Sequence, residues 1–439
     1  MKIPKRIATA IMNSLKGGVV PRIGLPYIAV GRETEINALL HDVNIIADEG
    51  ASFRFIVGKY GSGKSFLLQT IRSYVMDRDF VVVDADLSPE RRLVGTKGQG
   101  LATYRELMHN MSTKTRPDGG ALALIMEKWI SSIKTDVMTE NNISSDDTLF
   151  DSYVETKIFK IVNDLEGMVH GFDFAKMVNM YYKAYKNDDD EKKAMVLKWF
   201  RGEYETKTAA KNDIGINIII SDENWYEYLK LFALFLVKAG YSGMLILIDE
   251  LVNIFKIPNT ITRQNNYEKI LTMYNDTLQG KAKHIGIIMC GTPECIEDTR
   301  RGVFSYEALR SRLSEGRFAN ATTRDMLAPI IRLEPLSNEE MYVLIEKLSA
   351  IHASLFEYTP IITDADMQNF LKIEYSRIGA STNITPREII RDFIELLNII
   401  YQNPAKSISE IMQTNDFEFA KMKLDDENEI KDEFSEFEI

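Results

Sequence analysis

The stretch Phe53-Arg54-Phe55-Ile56-Val57-Gly58-Lys59-Tyr60-Gly61-Ser62-Gly63-Lys64-Ser65 decides the fold of this chain. Its first five residues form a short, mostly apolar run before a glycine, which is typical of a buried β-strand. Its last eight residues match G-x-x-x-x-G-K-[ST] completely, and Phe66-Leu67-Leu68 then opens an apolar helix. A strand, a glycine-rich turn and a helix in that order predict a phosphate-binding loop.

The predicted loop has a defined chemistry, because its glycines allow backbone N–H groups to turn toward phosphate oxygens. Lys64 is expected to reach the β- and γ-phosphates of ATP, and the Ser65 hydroxyl is expected to ligate Mg²⁺. The candidate nucleotide-binding residues of this segment are Gly58, Tyr60, Gly61, Ser62, Gly63, Lys64, Ser65 and Phe66. The alternative is a glycine-rich turn without a nucleotide, which the flanking strand and helix disfavour.

A second motif, Asp249-Glu250, follows the apolar run Met244-Leu245-Ile246-Leu247-Ile248. Two adjacent carboxylates after a buried strand suit a strand tip that faces the phosphate site. We expect Asp249 to hold Mg²⁺ together with Ser65 and water, and Glu250 to orient or deprotonate the attacking water. The pair is a weak signal by itself and a strong one beside the phosphate loop.

The wider pattern predicts an α/β fold with a parallel sheet flanked by helices. Apolar runs predict five strands, at 53–57, 80–85, 244–248, 285–289 and 330–333. From about residue 100 to 240 helical spacing dominates, which indicates a long helical insertion between strands. Past Ser337 the pattern is helical again.

Composition argues against a secreted, a membrane-spanning or a zinc-organised protein. The 439 residues carry 53 Lys plus Arg against 64 Asp plus Glu, a net charge of −11, and 45% are hydrophobic. Two cysteines and five histidines offer neither a disulfide scaffold nor a metal cluster, and no apolar run is long enough for a membrane helix.

The tail 424–439 holds eight carboxylates and one lysine. We expect it to be a disordered, solubilising end, the alternative being a docking peptide for a basic partner.

Three further positions carry weaker signals. Thr292 follows the strand at 285–289, where a polar residue could sense the γ-phosphate or simply form a turn. Thr385-Pro386-Arg387 predicts a helix start, with Thr385 as the cap and Pro386 in the first turn. Arg387 then points toward the sheet or is an ordinary exposed arginine.

The order of these motifs resembles that of AAA+ ATPases, and Val30-Gly31-Arg32-Glu33 resembles a box of their origin-recognition and initiator branch. The resemblance implies that Arg312, in Ser311-Arg312-Leu313, reaches a neighbouring subunit's nucleotide, so that ATP lies at the interfaces of a homo- or hetero-oligomer. It also implies that Arg387 touches the γ-phosphate. Thr292 departs from the asparagine usual at that strand tip in the family.

This resemblance predicts a division of the chain into four parts. They are an N-terminal helix at 1–20, an AAA+ core at 21–335 with its insertion at about 100–240, a helical lid at 336–423 and the acidic tail at 424–439.

A closer resemblance is to the BREX phage-defence ATP-binding proteins, over roughly residues 3–405. The segments that carry it, besides the phosphate loop, are 20–25, 84–91, 100–105, 116–120 and 304–312. It implies a cytoplasmic ATPase without a membrane segment, whose partners are other subunits of a phage-defence system. DNA is a candidate partner, and the basic cluster Arg91, Arg92 and Lys97 is either a contact for it or a solvated surface.

Two functions remain open at this point. One is an ATP-hydrolysing component of a DNA-directed defence complex, and the other is a non-hydrolysing nucleotide switch or scaffold that organises partner proteins. Glu250 favours the first, because a pure binding switch does not need it. A nucleotide kinase is disfavoured, because no acceptor pocket or second lid signature follows the loop.

Overall fold

The computed structural model describes residues 3–166, 168–314, 324–376 and 385–413. The chain divides into two compact units, one of Ala29–Ser337 and one that joins Met1–Ile28 to Asn338–Ile439. The acidic segment at 424–439, predicted to be disordered, lies outside the described residues.

The larger unit is built on a sheet of five parallel strands in the order β2-β3-β4-β1-β5. The strands are β1 (Ala51–Val57), β2 (Phe80–Asp86), β3 (Gly243–Asp249), β4 (Ile285–Gly291) and β5 (Ile330–Arg332). The predicted α/β class is confirmed, and each predicted strand is present to within two residues at its ends. Both faces of a parallel sheet are covered, so its strands are continuous apolar runs that sequence reasoning finds readily.

Helices make up most of the remaining described residues. In the larger unit they are α3 (Glu33–Ala47), α4 (Lys64–Met76), α5 (Gln99–His109), α6 (Leu122–Asn141), α7 (Phe150–Glu166), α8 (Gly171–Lys186), α9 (Asp190–Phe200), α10 (Lys207–Ile214), α11 (Trp225–Lys238), α12 (Val252–Phe255), α13 (Thr260–Leu278), α14 (Pro293–Glu297) and α15 (Glu307–Leu313). The predicted helical insertion is confirmed, since α5 to α11 lie between β2 and β3.

The sheet separates two apolar clusters, because successive side chains of a strand point to opposite faces. In β2, Val81 and Val83 join one cluster while Val82 joins the other. Helices α3 and α4 cover the face of Val82, and α5, α11 and α13 cover the opposite face. This packing holds the strand ends in place and thereby positions the loops that follow them.

The smaller unit is helical in its described part. Its helices are α1 (Lys5–Lys16), α2 (Leu25–Ile28), α16 (Asn338–Phe356), α17 (Asp364–Ser376), α18 (Pro386–Gln402) and α19 (Ile408–Gln413). The N-terminal helix α1 packs against α16 and α18, and it buries Ala8, Ile11 and Met12. Among the helices described in the two units, none combines the length and the apolarity needed to cross a bilayer.

Candidate nucleotide-binding site

The predicted phosphate loop begins at the carboxyl end of β1, beside the ends of neighbouring strands. Val57 pairs with Gly291, the last residue of β4, and the Gly58 N–H donates to the Gly291 carbonyl at 3.2 Å. Strand β4 in turn pairs with β3, which ends at Asp249. Because all strands are parallel, the loop and the Asp249-Glu250 motif meet at one edge of the sheet, where α/β proteins bind ligands.

The glycines of the loop are required by its backbone. Gly61 has φ +75° and Gly63 has φ +89°, in the left-handed region that favours glycine. A Cβ on Gly58 would lie 2.3 Å from the Ser62 hydroxyl oxygen, so a side chain there cannot be accommodated without a shift.

Several polar groups of the loop have no hydrogen-bond partner among the described residues. Within the described residues, the N–H groups of Gly61 and Gly63 donate to no acceptor, and the buried Ser62 hydroxyl has no hydrogen-bond partner. Unpaired donors in a glycine turn at the start of a helix fit an anion such as a nucleotide phosphate.

The lysine of the motif begins α4. Its Nζ donates to the carbonyls of Gly58 at 2.7 Å and Lys59 at 2.9 Å. Burial lowers the pKa of Lys64, and the nearby negative charge of Asp249 opposes that shift. Two other predicted residues flank this group: Phe66 is half-buried in the first turn of α4, and the Tyr60 ring centroid lies 5.5 Å from the Lys64 Nζ, with the tyrosine 62% exposed.

The predicted magnesium ligands are in contact. The Ser65 hydroxyl donates to Asp249 Oδ2 at 3.1 Å, across 184 positions of sequence. Asp249 Oδ1 accepts the Glu250 N–H at 2.7 Å, and Glu250 has φ +60° with an exposed side chain. The Leu251 N–H donates to the Cys290 carbonyl at 3.0 Å, which anchors the turn after β3 on the neighbouring strand. A hydroxyl and a carboxylate in this arrangement fit Mg²⁺, which prefers oxygen ligands.

Thr292 lies directly after β4 and is buried. Its hydroxyl oxygen is 3.1 Å from the Cys295 sulfur, so it already has a partner within the protein. Burial raises the pKa of the Cys295 thiol, which therefore stays protonated near neutral pH. This contact, which sequence patterns did not predict, joins the residue before the short helix α14 to the middle of that helix.

A third acidic residue lies at the same edge of the sheet as Asp249 and Glu250, and the sequence patterns did not predict it. Asp86 ends β2 and pairs in register with Asp249 on β3. Its partial removal from water, and then the negative charge of Asp249, raise the pKa of Asp86. Because the apolar pattern ends at Ala85, the strand appeared one residue too short and its polar tip was overlooked.

The two arginines expected to act on the nucleotide lie in different units. Arg312, on α15, is exposed, and its Nη1 donates to the Ala308 carbonyl of the same helix at 2.8 Å. The predicted helix start at Pro386 is confirmed, because Thr385 and Glu388 form a reciprocal capping box. The Arg387 side chain is exposed and lies beside Gly18 of its own unit.

Comparison with known protein families gives a match that spans nearly the whole chain. A family model described as BREX system ATP-binding protein BrxC/D matches residues 3–416. No curated protein is similar enough to this chain to match it. The match confirms the resemblance to the BREX ATP-binding proteins that the sequence segments predicted. The chain therefore belongs to the BREX system ATP-binding protein BrxC/D family, as an ATP-binding protein of a BREX defence system.

Proposed function

We propose that this chain hydrolyses ATP with Mg²⁺, as an AAA+ component of an anti-phage defence complex that acts on DNA. One observation carries the proposal: the Ser65 hydroxyl meets the Asp249 carboxylate at 3.1 Å, with Glu250 next along the chain. The phosphate loop and the carboxylate pair thus form one site, which has both a place for a metal ion and a base.

Ser65 and Asp249 would hold the ion, and Asp86 stands beside them as a further carboxylate. When bound, Mg²⁺ neutralises negative charge on the β- and γ-phosphate oxygens. The exposed Glu250 carboxylate would accept a proton from the attacking water or orient it toward the γ-phosphate. A switch that only binds ATP has no use for a base at this point.

Lys64 and the loop backbone would bind the phosphates. The Lys64 ammonium already lies over the loop, where it donates to Gly58 and Lys59, and a phosphate would offer it a full negative charge instead of two carbonyls. The unpaired N–H groups of Gly61 and Gly63 would donate to phosphate oxygens. These contacts account for binding and leave water activation to Glu250.

Further roles are proposed from the AAA+ resemblance. Arg312 would act on the nucleotide of a neighbouring subunit in a homo- or hetero-oligomer, and its exposure supports this role. Thr292 would sense the γ-phosphate, which requires its hydroxyl to leave Cys295. Residues 21–335 would be the AAA+ core and residues 336–423 the lid that carries Arg387, and the division of the chain between Ser337 and Asn338 supports the boundary between them.

Other subunits of the defence system, in the cytoplasm, are the proposed partners, together with DNA. In the basic cluster named above, Arg91 is engaged within the protein, since its Nε donates to the Asp86 carbonyl at 2.9 Å and its Nη1 lies 3.6 Å from Glu106. DNA binding is therefore proposed from the resemblance to origin-recognition and initiator ATPases and not from Arg91. Sedimentation with and without ATP and duplex DNA tests assembly and DNA binding together.

Site-directed variants test the chemistry. Lys64→Ala should abolish ATP binding. Glu250→Gln should bind ATP like the parent and release phosphate about 100-fold more slowly or worse, because the ground-state contacts survive while water activation is lost. Calorimetric titration of ATP with Mg²⁺ measures the first property, and a phosphate-release assay measures the second.

Glu294→Gln serves as the matched control, because Glu294 is another exposed acid of the same edge, directly after Thr292 and Pro293. It should leave both properties unchanged. If Glu250→Gln releases phosphate like the parent, Glu250 is not the base. If the parent binds ATP and shows no hydrolysis with DNA or partner subunits present, the non-hydrolysing switch is the correct function.

A further inference from the structure

We propose that Arg32 is a positioning residue, which holds the phosphate loop in its binding conformation and links it to the segment that leads out of the larger unit. The inference rests on the proposed use of the loop to bind ATP phosphates. Arg32 lies directly before α3 and is only 6% exposed, so its guanidinium acts inside the protein.

The guanidinium joins two distant backbone carbonyls. Arg32 Nη2 donates to the Ser62 carbonyl at 3.0 Å and to the Glu334 carbonyl at 2.7 Å. Ser62 lies in the phosphate loop, and Glu334 lies two residues after the end of β5. One nitrogen with two hydrogens therefore connects the loop to the segment that follows β5.

The contact with Ser62 determines where the next N–H points. A trans peptide is planar, and its carbonyl and N–H point in opposite directions. Because Arg32 holds the Ser62 carbonyl on its own side, the Gly63 N–H is directed away from Arg32. That N–H is one of the loop donors without an acceptor among the described residues.

Helical hydrogen bonding does not provide this restraint. The Leu67 N–H donates to the Gly63 carbonyl at 2.9 Å, which continues α4 back by one residue. No corresponding bond from Phe66 to the Ser62 carbonyl occurs within the described part of the chain. Side-chain packing does not provide it either, since Gly63 has no side chain and even a Cβ there would meet nothing within 4 Å. Without Arg32, neither polar group of the Ser62–Gly63 peptide would have a hydrogen-bond partner among the described residues.

A buried carboxylate lies beside Arg32 and is shared with a second arginine. Glu35, which is 3% exposed, lies 3.8 Å from Arg32 Nη1 and accepts a hydrogen bond from Arg324 Nη1 at 3.3 Å. This carboxylate lies on the Nη1 side of the guanidinium, while Nη2 faces the two carbonyls. A lysine keeps the positive charge but has a single nitrogen, so it cannot lie beside Glu35 with one nitrogen and donate to both carbonyls with another.

The second acceptor gives the arrangement a consequence beyond binding. Glu334 precedes Asn338, where the chain enters the smaller unit, by four positions. Since one nitrogen serves both carbonyls, a loop that bound phosphates hold more firmly also holds Arg32, and with it this segment, more firmly. ATP should therefore slow amide exchange in the parent both at residues 58–66 and at residues 333–337.

The test compares Arg32→Lys with Arg54→Lys. Arg54 is also 6% exposed, pairs with a buried carboxylate and donates to a backbone carbonyl, that of Ala328. Both variants keep the charge and both disturb a buried arginine, so they separate loop positioning from loss of stability. Titration of ATP with Mg²⁺ and amide exchange of the ATP-free proteins are measured for both.

Arg32→Lys should weaken ATP affinity about tenfold, as expected if the loop is competent about a tenth of the time, and should speed exchange at residues 58–66. Arg54→Lys should leave affinity within about twofold of the parent. Affinity equal to the parent in Arg32→Lys, or an equal loss in both variants, would overturn the inference. So would ATP-induced protection in the parent that stops short of residues 333–337. A parent that does not bind ATP would instead contradict the proposed function.

Discussion

Removing one partner of the buried ion pair between Arg54 and Asp42 should be among the most destabilising single changes in the larger unit. Arg54 Nε lies 2.5 Å from Asp42 Oδ2, and Nη2 donates to Oδ1 at 2.7 Å. The two residues are 6% and 5% exposed, and Ser52 donates to Asp42 at 2.9 Å. Strand β1, which leads into the phosphate loop, is thereby joined to α3.

Replacing Arg54 with methionine keeps the volume and removes the charge. The Asp42 carboxylate then stays buried with Ser52 as its remaining side-chain donor, which we expect to cost about 3–5 kcal/mol of unfolding free energy. For a unit of the size of Ala29–Ser337, that loss lowers the melting temperature by about 5–8 °C. The double variant Asp42→Leu, Arg54→Met should regain most of it, because no buried charge is left unpaired.

Urea unfolding followed by tryptophan fluorescence measures the effect. All three tryptophans, at positions 129, 199 and 225, lie within Ala29–Ser337, so the signal reports on the right unit. The control is Lys283→Met, which breaks the exposed pair of Lys283 with Glu49 and should leave stability nearly unchanged. A loss below about 1 kcal/mol in Arg54→Met, or a double variant as unstable as the single one, would refute the reasoning.

Three more predictions concern assembly, nucleotide discrimination and pH. Arg312→Ala should keep ATP affinity and lose partner-stimulated hydrolysis, and mixing it with Glu250→Gln should restore activity at some composite sites; lost affinity in the monomer would place Arg312 in cis. Arg387→Ala should reduce the ATP-to-ADP affinity ratio about tenfold in calorimetric titrations. An unchanged ratio would mean that Arg387 is an ordinary exposed arginine that does not contact the γ-phosphate. Burial lowers the pKa of His352 below its ordinary 6.5. As the pH falls through 6.5, the unfolded chain therefore takes up a proton at this histidine while the folded chain does not. The contribution of His352 to the stability of the fold is complete above that pH and is lost as the pH falls. Calorimetric melting between about pH 5 and 8 should show this fall for the smaller unit, flattened in His352→Gln and retained in a control at the exposed His41.

Much of the fold could be predicted because its signals are local. The strand at 244–248 is apolar throughout, as expected where both faces are covered, and it was predicted to within one residue at each end. The helix from Pro386 was recognised by its cap and its proline, and the structure adds the reciprocal contact of Glu388. Strand tips were harder to place, since Asp86 is polar and the apolar pattern ends before it.

Sequence alone determined the class of fold and the chemistry of the phosphate loop. A left-handed turn at Gly61 and Gly63 requires residues without a Cβ, and Lys64 and Ser65 follow at fixed positions, so a short window contains the whole motif. Only the tertiary structure decided which distant groups meet that loop. Asp249 reaches Ser65 across 184 positions because β4 lies between β1 and β3 and all three strands end together. Arg32 meets the Ser62 carbonyl because α3 packs over β1 and α4. Such contacts depend on strand order, register and helix packing, which are set by the burial of whole faces and not by local propensity.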